Sequence, residues 1–151
     1  MSQAKTKAIL VGVAGGLAIA IFARSSWSPS SDPDLSVVDA YASESASDAS
    51  AVYFTLQNDG GADHLLGGAS PAASSVSVHG PEMQPSGDLK VKSHGDTNLV
   101  PGGSHLMLEN LREPLRPGDE VTLQLRFDHS TPIEVTVSVL SYDDVLAKVN
   151  P

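Results

Sequence analysis

The chain has 151 residues, enough for one ordinary domain, and its 40% hydrophobic and 18% charged residues exclude a wholly disordered chain. Lys and Arg number 9 against 18 Asp and Glu, a net charge of -9, and because Lys5, Lys7 and Arg24 precede the first acidic residue, Asp32, the imbalance beyond residue 24 is steeper, 6 basic to 18 acidic. A domain this acidic repels phosphates, which argues against nucleic acid and anionic headgroups as partners, and the absence of Cys removes disulfides, thiol nucleophiles and thiolate metal sites.

Lys5 and Lys7 precede an uncharged apolar run, Ala8 to Phe22, which Arg24 closes. That is the form of a secretory signal. The run is shorter than the ~20 residues of a comfortable membrane span. The small-residue motif Ala18-Ile19-Ala20 lies inside it. Residues 1–24 therefore read as a signal peptide or an uncleaved N-terminal anchor, the one part expected to touch a membrane. The rest is expected outside the cytoplasm, in a periplasm or at the cell surface. There is no lipobox Cys, which leaves this end no site for lipidation. Residues 25–35, rich in Ser, Pro and Asp, read as a linker carrying the single Trp, Trp27.

Residues 36–140 alternate with a period of two. Ser36 to Tyr41 opens as a strand, and Ser43 to Ser50 reads as a loop. Ala51 to Asn58 places Val52, Phe54 and Leu56 on one face. Asn58-Asp59-Gly60-Gly61 signals a turn into a return strand, Asp63 to Gly67. Ser74–His79, His105–Glu109, Glu120–Phe127 and Ile133–Val139 alternate likewise, the last two joined as a hairpin through residues 128–132. No segment after residue 35 has a clear helical period, and the tail, 141–151, reads as loosely attached. About seven short strands with Gly, Pro and Asp turns mean an all-β fold, an antiparallel β-sandwich or small barrel. With aromatics at 5%, its core must be aliphatic.

His and Met cluster. His105 and Met107 are two apart in a strand and leave the same face, with Leu106 and Leu108 pointing to the core. His79 ends a strand, and Met83 follows across a Gly80-Pro81 turn. If the two strand ends are neighbours, two imidazoles and two thioethers meet. Such a set favours Cu(I) over Zn(II), Mg(II) or Ca(II). The competing reading is that the methionines only fill gaps in packing. Blue copper requires a Cys ligand, and no G-x-S-x-G motif is present, so an enzyme is not expected.

The segment Pro101-Gly102-Gly103-Ser104-His105-Leu106-Met107-Leu108 resembles the P-G-G-x-H-x-M-L signature of the periplasmic copper chaperone family PCu(A)C. Leu111, Pro114-Leu115, Gly118-Asp119 and the two strands after them fit, as do Asp39–Ala42, Ala51–Asn58, Asp63–Leu65, Gly68–Pro71 and Val76–His79 upstream. The similarity runs from Val37 to Val139. It implies a cupredoxin-like β-barrel that binds Cu(I) through His79, His105 and Met107. It implies copper delivery to an acceptor, a cytochrome oxidase subunit or its assembly factors. The family also has a hairpin Met between the two His, often as M-x-M, where this chain has Leu89 and Val91, and the interval is shorter here. Met83 is the remaining thioether, and His94 is a second candidate for the missing ligand. His64 and His129 read as solvated turn residues. The expected metal ligands are His79, Met83, His105 and Met107, holding Cu(I) in an extracytoplasmic metallochaperone. The alternative is a cell-surface binding module that has lost tight copper binding.

Overall fold

A computed structural model of the chain describes residues 32–151. The signal or anchor at 1–24, and the linker with Trp27 up to residue 31, lie outside the described residues. The strands are β1 (Leu35–Ser43), β2 (Ala49–Asn58), β3 (Asp63–Ala69), β4 (Ala73–His79), β5 (Leu89–Val91), β6 (Gly95–Leu99), β7 (His105–Leu111), β8 (Glu120–Phe127) and β9 (Ile133–Leu140). One helix follows, α1 (Tyr142–Val149). Among the described residues no helix is long and apolar enough to cross a membrane.

Seven strands close a ring in the order β1-β9-β8-β3-β4-β7-β2, because β2 pairs back onto β1. The all-β barrel expected from the alternation is therefore present. One pair departs from the antiparallel rule: β1 and β9 run parallel. β5 and β6 extend the ring, β5 on β3 and β6 on the outer half of β2. The period-two pattern does its work inside the ring. Val52, Phe54 and Leu56 meet Leu106 and Leu108, and Val121, Leu123 and Leu125 close the other side. Leu108 is fully buried. Leu108→Ala is expected to cost about 2–5 kcal/mol, the range for a large-to-small core change. A lower denaturant midpoint with an unchanged slope would show it.

Two buried polar side chains tie the loops to this barrel. Asn58 Oδ1 accepts from the amides of Asp34 and Gly60, and its Nδ2 donates to the carbonyls of Gly61 and Lys92. All four of its hydrogen-bonding positions are used. Asp63, 1% exposed, receives the amides of His64, His129 and Ser130 and the Ser130 hydroxyl at 2.6–2.9 Å. It fixes the β8–β9 turn to the start of β3.

The tail is not loosely attached. Ser141 caps α1 by accepting from the Asp144 amide, Asp143 and Asp144 sit in the first turn, and Lys148 sits in the last. Each end thus carries the charge that suits the helix dipole. Val145 is buried, and the Lys148 ammonium lies 4.8 Å from the centre of the Tyr41 ring. The helix is pinned over the outer face of β1 and β2.

Candidate metal centre

The β4–β7 register decides what meets on the outer face. His79 pairs with His105, Ser77 with Met107 and Ser75 with Glu109. On the other side of β7, β2 sets Ala51 beside Met107. Met107 therefore has small neighbours, Ala51 and Ser77, on both sides. Leu106 and Leu108 point inward to the core. The His79 and His105 rings are 5.7 Å apart, and Tyr53 lies 6.0 Å beyond His105. Burial first, then the neighbouring Tyr41 and Tyr142 phenols, raises the Tyr53 pKa above its ordinary value of 10.0, so this phenol is neutral at pH 7.

Local turns fix both imidazoles. Val100-Pro101-Gly102-Gly103 closes with the Gly103 amide donating to the Val100 carbonyl. Gly102 has φ +83°, the left-handed position that follows Pro in a type II turn and that a side chain resists. The turn aims the Gly103 carbonyl at His105 Nδ1, 3.0 Å away. A carbonyl only accepts, so Nδ1 carries a proton, and in the neutral imidazole this tautomer leaves the Nε2 lone pair free. His105 is 2% exposed, and this Nε2 is buried without a hydrogen-bond partner. Buried polar atoms are normally satisfied, so this one is the clearest mark of a site for something else.

His79 is held the same way from the opposite loop. Gly80-Pro81-Glu82-Met83 turns back, and Met83 takes φ +62°, a strained conformation for Met. Its carbonyl then lies 3.0 Å from His79 Nδ1. His79 Nε2 faces the Ser77 hydroxyl at 3.1 Å, and Ser77 donates to Glu109 Oε1 at 3.0 Å. A metal-ligating histidine commonly donates its second N–H to a carbonyl. Both imidazoles here meet that condition.

The Met83 side chain is 57% exposed and lines an apolar cleft of about 600 Å³ with Met107, Tyr53 and the α1 residues Val145, Leu146 and Val149. The two thioethers thus share one cleft. Among the described residues no group of three or more His, Asp or Glu could hold a metal ion. An ion seated here draws on thioether or hydroxyl ligands as well.

The remaining candidates fall elsewhere. Leu89 and Val91 belong to β5, where Val91 is fully buried in the core and Leu89 packs against it. They supply packing where the resemblance places sulfur. His94 turns between β5 and β6, its amide on the Gly60 carbonyl. Val52 pairs with Leu106, while Asn58, six residues on, faces Gly95, so His94 is about 20 Å from the His pair at the strand rise. It does not replace the missing ligand. His64, in β3, lies 3.8 Å from Asp88, and exposed His129 lies 3.6 Å from Asp128.

The inward strand faces, the parallel closure and the outer His pair define a cupredoxin-like barrel of the PCuAC type. Solved structures of that type superpose on it. The copper-bound PCuAC domain from PmoF2 is 16% identical and covers 76% of this chain and 97% of its own, with a TM-score of 0.65. The Cu(I) form of DR1885 from Deinococcus radiodurans is 25% identical and covers 69% of this chain and 78% of its own, with a TM-score of 0.58. The chain itself belongs to the LpqE-like family, described as "Putative lipoprotein LpqE-like", which it matches over residues 35–139. "Putative lipoprotein Lxx21020" of Leifsonia xyli subsp. xyli (strain CTCB07) is 30% identical over 145 residues, 89% of this chain and 86% of that one.

Proposed function

We propose that this chain is an extracytoplasmic Cu(I) carrier, a metallochaperone and not an enzyme. His79 Nε2, His105 Nε2 and the Met107 thioether hold the ion, and Met83 enters from the mouth of the cleft. The observation that carries this reading is the buried, unpartnered Nε2 of His105 beside a second imidazole and a thioether. All these ligands are neutral and soft or borderline, the preference of Cu(I). A site on the outer face of the barrel, with one thioether exposed, suits ligand exchange with an acceptor. The copper-bound state of the PmoF2 and DR1885 domains supports the same cargo. The acceptor is expected to carry a basic patch that the acidic domain steers towards, and a respiratory copper enzyme such as cytochrome oxidase fits.

The apolar run behind Lys5 and Lys7, read as a signal peptide or an N-terminal anchor, and the lipoprotein description of the family support a location outside the cytoplasm, in a periplasm or at the cell surface. The 151 residues contain no Cys to acylate. Attachment would then run through the apolar segment Ala8–Phe22.

The second reading, a binding module that has lost tight copper binding, draws on the core positions of Leu89 and Val91. Competition with a Cu(I)-specific chelator separates the two. The carrier retains one Cu(I) and gives up Zn(II) far more readily. Retention of Zn(II) at equal strength would refute it, and retention of neither metal favours the second reading.

A further inference from the structure

α1 presents more apolar surface than the barrel covers. Tyr142, Val145, Leu146 and Val149 stand at i, i+3, i+4 and i+7 and line the cleft, yet of these only Val145 is buried. Tyr142, Leu146 and Val149 remain exposed, and so does Met83 on the same cleft. Among the described residues six large apolar side chains are exposed, and these four share one cleft. Scattered exposed apolar residues need no explanation, but a contiguous set marks a binding surface. Ala46, Ala49 and Ala51 line the cleft too, and their small side chains leave it open.

Charge decides what the cleft accepts. Its lining includes one carboxylate, Glu44, and no Lys or Arg. Asp143 and Asp144 stand exposed between the lining residues Tyr142 and Val145, and exposed Glu82 stands next to Met83. Lys148 of α1 is drawn to the Tyr41 ring, 4.8 Å from its centre. A second copy would set one acidic rim against another, in a chain of net charge -9. A helix that lies on a membrane carries Lys and Arg on its polar face, whereas α1 opens on two Asp. A basic partner with an apolar anchor suits both the lining and the rim.

We propose that this cleft seats the copper acceptor, through a short segment that lays a large apolar side chain against Leu146 and Val149 and carries Lys or Arg beside it, facing Glu44, Asp143 and Asp144. The proposal rests on the carrier reading and names the surface that reading requires. Cu(I) passes between proteins by ligand exchange while they touch, so the acceptor must reach Met83 and Met107. Both thioethers line this cleft, and a segment seated against α1 arrives beside them. The apolar anchor gives the contact its affinity. The acidic rim gives it speed and selects for a basic partner.

The test uses the full-length metal-free protein, isotope-labelled for NMR and titrated with a synthetic peptide of Lys, Leu and Met residues. Control peptides replace Lys by Glu, or Leu by Ser. The first peptide is expected to shift the amides of α1 and of β2, less strongly as salt rises. Each control is expected to bind at least about tenfold more weakly. Leu146→Gln keeps a good helix former and removes the apolar side chain. It is expected to weaken peptide binding by about tenfold or more. Leu66→Gln, at an exposed Leu of β3 outside this cleft, is expected to change nothing. Glu44→Gln keeps an acceptor for the Tyr142 amide and removes the charge. It is expected to weaken binding by up to about fivefold and to flatten the salt dependence. Cu(I) affinity, measured by chelator competition, should hold in all three variants, because none of them touches a ligand atom. A peptide that shifts none of these amides at millimolar concentration overturns the proposal, and so does one that Leu146→Gln binds as well as wild type does. Self-association of wild type that Leu146→Gln abolishes, or flotation with phosphatidylglycerol vesicles, overturns it in favour of another occupant. Failure to bind the peptide with Cu(I) retained removes the docking site alone. Failure to retain Cu(I) refutes the carrier reading beneath it.

Discussion

A His105→Leu protein is expected to lose Cu(I) affinity by about a hundredfold or more, beyond the 10–100-fold that loss of an outer hydrogen-bond partner costs. Its metal-free form should unfold no more easily than wild type. The imidazole is 2% exposed, and its Nε2 has no partner there. An unpaired buried polar atom costs about 1–3 kcal/mol and a Leu of similar volume removes that cost, against the loss of about 0.5–1.5 kcal/mol from the Nδ1–H bond to the Gly103 carbonyl. Stability and function thus pull in opposite directions at one residue. Chemical denaturation of the metal-free protein and chelator competition measure the two effects separately. A His105→Leu protein that unfolds readily without metal would show that the imidazole serves the fold.

Asp63→Ala carries the largest expected loss of stability, about 3–5 kcal/mol, because four donors lose their only charged acceptor in a buried place. Burial pushes the Asp63 carboxyl up. The Ser130 hydroxyl and the His64, His129 and Ser130 amides more than offset this and hold it below its ordinary value of 3.8. The carboxylate therefore adds stability in full above the ordinary value, and loses it as pH falls through that value toward the lower folded one. Wild type should weaken in acid below about pH 4. In Asp63→Asn that part of the acid dependence should vanish, along with the stability it provides. Denaturation midpoints at a series of pH values report both. An unchanged acid limb in Asp63→Asn would assign the acid sensitivity to other carboxylates.

Much of this is legible in the sequence where a residue's neighbours are its own strand. The alternation of Val52, Phe54 and Leu56, or of Val121 to Phe127, predicts strand and face together. His105-x-Met107 is legible for the same reason. Continuing the alternation by two places would have added Glu109, and reading Ser-Val-Ser-Val-His backwards would have added Ser77. The 5.7 Å approach of the two imidazoles is a fact of the β4–β7 register and is not written in either strand alone. β5 has three residues, too few to show a period, and β6 carries polar side chains at most of its positions. α1 carries an apolar stripe, Tyr142, Val145, Leu146 and Val149 at i, i+3, i+4 and i+7, but over only two turns, too short a window for the period to stand out. Its start is signalled by the Ser141 cap and the acidic first turn, Asp143 and Asp144. The strained backbone of Met83, which presents its carbonyl to His79, has no signature at all.

The parallel pairing of β1 with β9 has a consequence in time. The first and last strands of the domain are partners, so a chain that emerges N-terminus first cannot close its ring until residue 140 is free. Contacts this distant in sequence slow folding, because the loop between them must be closed before they form. The helix that walls the cleft comes later still. The elements around the histidine pair, β2, β4 and β7, are complete by residue 111, but the barrel that holds them closes only when β9 joins β1.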